Sequence, residues 1–320
     1  MEILNYKVAI IGAGNLGRRY LEGLLKTKLE IEVYLIDINE STLLLAKEVY
    51  DSSQNFKIKF HTSTSLSILP KYLDLAIIAT ISNNRHLILE TILEKTVVKY
   101  WVLEKVLSNS IQSLNQIDYL INEKSKSKAW VNTFFRTLDW FKEIKNCLDF
   151  EKIKMQVHGG NWGIACNTVH FIDFVEWLTN ENLIKIDICE LENEWFASKR
   201  DGYFEINGTL NLFFSNGSIL NLISDNSMDD LQIKISYESY ELIIYWEQGI
   251  AKSNIGQEFL GRVKYQSEMT TSLVENILLY GISELPELQS SLIIHKKFIP
   301  SMLNHWNLVY NESIELIPIT

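Results

Sequence analysis

Two groups of residues have the types and spacing to do chemistry. The first is Gly12, Gly14 and Gly17 in Ile11-Gly12-Ala13-Gly14-Asn15-Leu16-Gly17, a G-x-G-x-x-G spacing. In a dinucleotide site the first glycine makes a tight turn, the second lets backbone approach a pyrophosphate, and the third lets a helix pack closely on a strand. The helix opening at Asn15 and Leu16 would present free N–H groups and partial positive charge to the phosphates. Asp37 follows twenty residues after Gly17, where a carboxylate can hold both ribose hydroxyls of an adenosine. Ile38, Asn39 and Glu40 come next and offer no arginine to a 2′-phosphate, so NAD is expected rather than NADP. The second group is Cys166, His170, Asp173 and Trp177, at i, i+4, i+7 and i+11 along one helical stripe. Their segment is apolar nearly all round, which predicts a buried helix. A buried imidazole and carboxylate need partners or a water-lined cleft. Cys, His and Asp are also zinc ligands. No second ligand cluster accompanies them, and no metal is expected.

The elements that must position these residues follow from periodicity. Val8–Ile11 reads as a buried strand, and Leu16, Tyr20, Leu21 and Leu24 as the apolar face of the next helix. Strands are predicted at Ile31–Ile36, Phe56–His61, Leu73–Thr80, Tyr100–Leu103 and Trp130–Thr133, with helices between them. That alternation predicts a doubly wound parallel sheet of the Rossmann type. Beyond residue 150 strand runs follow one another without helices, predicting an α+β domain with a large, open, mainly antiparallel sheet. The expected division is a nucleotide-binding domain over 1–127 and a substrate and oligomerisation domain over 128–320, its last helix packing back on the first domain.

Composition narrows the function classes. In 320 residues 47% are hydrophobic, which excludes a disordered chain. A net charge of −10 without long single-sign runs argues against nucleic acid and anionic membrane surfaces as partners. Cys147, Cys166 and Cys189 are odd in number and far apart, which fits a reducing compartment. With a strand starting by about residue 7 and no transmembrane-length apolar run, the expected location is cytoplasmic. Two glycosylation sequons, at Asn207 and Asn216, read as turns. Arg136, just past the sixth strand, is a candidate for binding an anion or for a structural ion pair. Trp140, Trp162, Trp177 and Trp195 are candidate apolar walls or core.

Four segments, in this order and spacing, resemble the glucose-fructose oxidoreductase and inositol dehydrogenase family of NAD(P)-dependent oxidoreductases. They are the glycine fingerprint with Asp37; Ala79-Thr80 with His86, similar to the family's Ala-Thr-Pro…His; Glu104-Lys105, similar to Glu-Lys-Pro; and Cys166 to Asp173, similar to Asp-x-Gly-x-His-x-x-Asp. Pro286 and the helix after it resemble the family's C-terminal pattern. The resemblance implies NAD as cofactor, with Thr80, His86 and Glu104 near the nicotinamide. It implies that Lys105 hydrogen-bonds a substrate hydroxyl and steadies a developing alkoxide, and that His170 takes the hydroxyl proton as hydride leaves the carbinol carbon. Asp173, Cys166 and Asn167 would then contact the substrate, with Trp162 beside them.

Three departures stand out: Cys166 replaces the family's Asp, Ile81 the first proline and Val106 the second. Val106 does not fix its own φ, so a looser turn or a displaced Lys105 is expected. The implied activity is a sugar, inositol or nucleotide-sugar dehydrogenase of the alcohol-oxidising class, with bacterial surface-glycan synthesis as its suspected setting. The alternative is a non-catalytic NAD-binding sensor. A homodimer or homotetramer is expected, formed through the free face of the second sheet, to which Ile186, Ile188, Phe204, Ile206, Leu210 and Leu212 are assigned.

Overall fold

A computed structural model describes residues 5–53, 55, 57–147 and 151–320. The chain forms two compact units. The first comprises Met1–Ser108, Gln112–Asn132 and Lys264–Gln289; the second comprises Asn109–Ile111, Thr133–Val263 and Ser290–Thr320.

In the first unit, β1 (Tyr6–Ile11), β2 (Ile31–Ile36), β3 (Ile58–Ser63), β4 (Tyr72–Ile78), β5 (Val97–Leu103) and β6 (Lys128–Val131) make one sheet. Its order is β3-β2-β1-β4-β5-β6, and every neighbouring pair is parallel. Val8, Ala9 and Ile10 have no exposed surface, as expected of strands covered on both faces. Phe56, placed at the start of the third strand by the sequence, lies outside the described residues. The helices are α1 (Asn15–Leu24), α2 (Glu40–Asp51), α3 (Arg85–Leu93) and α4 (Ile111–Asp118). The strand order reverses between β1 and β4, and ligands of open α/β sheets bind at such a reversal. Gly17 fits α1 against the end of β1: a Cβ there would lie 1.8 Å from the Gly12 carbonyl oxygen.

Numbering continues through the second unit, with β7 (Lys154–Gly160), β8 (Leu183–Ala197), β9 (Phe204–Phe214), β10 (Ile219–Asp225), β11 (Gln232–Tyr237), β12 (Tyr240–Tyr245), β13 (Ile250–Ser253) and β14 (Glu258–Leu260). The sheet order is β14-β13-β12-β11-β7-β10-β9-β8, antiparallel throughout except for β7 with β10. The helices are α5 (Asp139–Cys147), α6 (Ile164–Thr179) and α8 (Leu288–Tyr310); α7 (Gln266–Tyr280) returns to the first unit, where it packs on α1. Thus the penultimate helix, not the last, joins the nucleotide-type unit.

Two expectations are corrected here. Ile206, Leu210 and Leu212, assigned to a free sheet face, are fully buried on the face that packs on α6. The period of two sets this: the half-exposed face of β9 and β10 carries Thr209, Asn211, Phe213, Ile219, Asn221 and Ile223. The Asn207 sequon is also not a turn. Asn207, Gly208 and Thr209 lie within β9, where Gly208 takes φ +113° beside the register shifts of β8. Asn216-Gly217 is a turn, as expected.

Gly17→Ala should cost about 2–3 kcal/mol, because a backbone oxygen cannot yield to the new methyl. Gly14→Ala meets nothing within 4 Å, so its loss should stay near 1 kcal/mol or less. Urea unfolding compares the two, and equal losses would contradict the packing argument.

Candidate functional site

In the first unit the glycine turn has the shape that its spacing predicts. Gly12 adopts φ +100°, and a Cβ there would meet the Ala79 carbonyl oxygen at 2.9 Å. Gly14 and Asn15 are exposed, and nothing lies within 4 Å of where a Gly14 Cβ would stand. No side chain caps α1, so its first N–H groups keep their capacity for an anion. Arg18 steadies the turn instead, donating to the Ala13 carbonyl at 3.0 Å and to Asn15 Oδ1 at 2.6 Å. Leu16 is half-buried and Gly17 buried.

Asp37 stands one residue beyond β2. Its Oδ2 accepts from the Ala13 backbone N–H at 2.6 Å and its Oδ1 from the Asn39 N–H at 2.9 Å. The carboxylate therefore braces the glycine turn while its flank lines a cavity of about 610 Å³. Gly12, Ile36, Ile38, Ser65, Leu66 and Thr80 are among the other walls. Among the described residues, Lys95 is the one cation in the lining.

Thr80 sits on the segment after β4 and His86 in the first turn of α3, and both are half-buried. Burial pulls the His86 imidazole below its ordinary range, against the opposing pull of Glu90. Glu104, expected at the cofactor, is instead enclosed within the unit at 4% exposure. Its Oε1 accepts from the Tyr20 hydroxyl and, at 2.7 Å, from Asn132 Nδ2. Burial raises the Glu104 carboxyl, opposed by these two hydrogen bonds and by the charge of Arg85. Lys105 is half-buried next to it, and the Lys105–Val106 peptide is cis. The turn is not loose, as the missing proline suggests: Val106 and Leu107 are fully buried and Arg85 bonds to the carbonyls on either side of Lys105. Sequence reading missed Arg85. Its signal is a cation in the first turn of a helix, the wrong end for the macrodipole.

The second unit holds the helical stripe. Twelve of the sixteen residues of α6 are buried, as its all-round apolarity predicts. His170, 6% exposed, stacks on Phe135 with ring centroids 5.1 Å apart and meets Phe134 edge-on at 5.2 Å. His170, Asn167 and Trp162 share a cavity of about 260 Å³ with Phe134, Trp246 and Glu247. Trp162 Nε1 donates to the Ile223 carbonyl at 2.7 Å, and Asn167 Nδ2 donates to the Trp162 carbonyl at 2.8 Å, so the wall is braced from behind. Phe134, Phe135 and Trp246 carried no signal in the sequence beyond hydrophobicity.

Asp173, Arg136 and Cys166 are not brought into that cavity. Asp173 is fully buried, and both its oxygens accept from Arg136: Oδ2 from Nε at 3.0 Å, Oδ1 from Nη2. Of the two roles open to Arg136, the ion pair is the one formed. Cys166 turns its thiol toward the Gly163 carbonyl at 3.7 Å. Trp140 and Trp195 are core, and Trp177 lies under the Lys145 ammonium.

No family model and no curated protein matches the sequence. Solved structures match the fold along nearly the whole chain. UDP-N-acetylglucosamine 3-dehydrogenase from Acidithiobacillus ferrooxidans superposes with a TM-score of 0.69 at 12% identity, over 94% of this chain and 97% of that one. The chain shares the fold of these dehydrogenases. Myo-inositol 2-dehydrogenase from Lactobacillus plantarum gives 0.69 at 15% identity, over 98% and 100%. GenD2 from gentamicin A biosynthesis, solved in complex with NAD, gives 0.68 at 13% identity, over 93% of each chain. Such oxidoreductases are of the type that the sequence motifs resemble.

Arg136→Met should cost about 3–5 kcal/mol at pH 7, because it strands a buried carboxylate. Burial already pushes the Asp173 carboxyl up to about 6 despite Arg136. Without that guanidinium it rises further, so at pH 5 the carboxyl is neutral in the folded variant and the loss shrinks. The sign follows from linkage: a carboxyl raised on folding contributes stability at low pH that is lost as pH rises through its folded value. Urea unfolding at both pH values checks this, and a loss equal at pH 5 and 7 would contradict it.

Proposed function

We propose that this protein is an NAD-dependent oxidoreductase acting on a carbinol carbon of a sugar, inositol or nucleotide-sugar derivative. The observation that carries the reading is the Asp37 carboxylate, hydrogen-bonded into the glycine turn beside the open face of Gly14. Together they make the acceptor for ribose hydroxyls and the cradle for a pyrophosphate. Asp37 repels a 2′-phosphate.

When bound, the nicotinamide supplies the hydride acceptor or donor. The chain's own residues handle substrate and proton. His170 accepts the proton of the reacting hydroxyl, and its stacking on Phe135 fixes the plane of the imidazole. Lys105, in the first unit, donates a hydrogen bond to a substrate hydroxyl and steadies charge that develops there. Trp162, Phe134 and Trp246 offer apolar faces to the C–H side of a ring, and Asn167 offers polar groups to its hydroxyls. Asp173 and Arg136 act at one remove, by holding α6 against the segment that carries Phe134 and Phe135. With Cys166 in place of the family's Asp, no carboxylate sits four residues before His170, which sets this site apart from the pattern that it resembles.

Fluorescence titration should show NADH binding at least about tenfold tighter than NADPH, equivalent to roughly 1.4 kcal/mol. Asp37→Ala should narrow the gap; equal affinities in the unmutated protein would defeat the cofactor reading. On a substrate found by screening sugars, inositols and nucleotide sugars, His170→Ala should lower turnover by about 10²–10⁴ with NADH affinity kept. Full activity in that folded variant would defeat the proton-transfer role. Tight NADH binding with no turnover across the panel would favour the sensor reading.

A further inference from the structure

We propose that Arg85 is a positioning residue for Lys105: its guanidinium takes hold of the backbone on both sides of that lysine and ties it to the end of β4. The proposal rests on the reading of Lys105 as the residue that hydrogen-bonds the reacting hydroxyl.

Arg85 is the first residue of α3 and is 1% exposed. Both facts work against a cation. A helix N-terminus repels positive charge, and a buried guanidinium is costly unless its donors and charge are met. The donors of its two Nη nitrogens are met here by backbone oxygens. Nη1 lies 2.5 Å from the Glu104 carbonyl, 2.5 Å from that of Val106 and 2.8 Å from that of Leu107, so its two hydrogens are shared among three acceptors. Nη2 donates to the Thr80 carbonyl at 2.5 Å. Three of the four acceptors bracket Lys105, one before it and two after. The fourth belongs to the segment that follows β4. The Arg85 charge also favours the ionised form of the buried Glu104 carboxyl, against the effect of burial, and Tyr20 and Asn132 donate to that carboxyl.

The ends of β4 and β5 are already paired in the sheet; one side chain adds a tie between the segments that leave them, with Lys105 between the pinned carbonyls. Val106 has no ring to restrict its own φ, so the restriction comes from outside the turn. Only a planar fork of five donors reaches four carbonyls in different directions; an ammonium at 85 would reach fewer. The arrangement is also dry, since Val106, Leu107 and Ser108 are all fully buried, and its bonds are not exchanged for water.

The test reads Lys105 directly and needs no substrate. A brief acetic anhydride pulse followed by peptide mass spectrometry gives the labelling rate of each lysine, with Lys95 and Lys99 as internal controls. Arg85→Lys should raise Lys105 labelling by roughly threefold or more, as the turn opens locally, and leave the controls unchanged. In Arg85→Ala, added methylguanidinium should bring the rate back toward that of the unmutated protein. Parental Lys105 labelling in a folded Arg85→Lys protein would overturn the proposal and leave Arg85 with a purely structural role. Should neither variant fold, amide hydrogen exchange of Lys105 to Ser108 in the unmutated protein decides: protection like that of β5 supports the clamp, and exchange like that of exposed turns overturns it. NADH titration on the same samples keeps the two readings apart, because an unmutated protein that binds no NADH defeats the proposed function whatever Lys105 does.

Discussion

The turns at the carboxyl edge of the parallel sheet are tied together by one hydrogen bond, from the Ala13 N–H to the Asp37 carboxylate. The parallel order places the ends of β1 and β2 side by side, with Ile11 opposite Ile36. Each strand must then turn away at once, and each turn exposes backbone groups that need partners. Asp37 meets one of them, and in doing so it stands where it can also accept from a ribose. Gly12 and Gly17 serve the same economy of space: the first takes a positive φ against Ala79, the second brings α1 down onto the turn. The binding surface left over is the part the fold does not use, the open face of Gly14 and the uncapped start of α1.

Much of this was legible because it is local. A glycine spacing, an acid at a fixed distance and an alternation of apolar runs predict a doubly wound sheet, and the observed sheet has that order. The all-round apolarity of α6 likewise predicts its burial. What was not legible is long-range. Nothing near Glu104 in sequence announces that Tyr20, 84 positions away, will claim its carboxylate. Nothing near Asp173 says that Arg136 will occupy both of its oxygens. The short strands β13 and β14 and the helix α5 were not read from the sequence. The apolar residues of β9 were assigned to the wrong face because period two says which residues share a face, not which face a helix will cover.

The two units spend buried charge in different ways. In the first, Arg85 and Glu104 are enclosed with their hydrogen-bonding groups directed at backbone, Tyr20 and Asn132, and the result is a stiff turn under Lys105. In the second, Arg136 and Asp173 lock α6 to the segment before it, and His170 is left against aromatic rings with its edge toward a small cavity. The rings of Phe134 and Phe135 set the orientation of the imidazole proposed to take the proton.

The proposed hydride transfer to or from a carbinol carbon can be followed directly by its label. The protein is incubated with NADH carrying deuterium at the transferable position and with a panel of keto-sugars, keto-inositols and their nucleotide derivatives, and the products are read by mass spectrometry. Deuterium is expected on one carbinol carbon of a product, and is lost when His170 is replaced by Ala. Bound NADH that yields no labelled product from any member of the panel would contradict it.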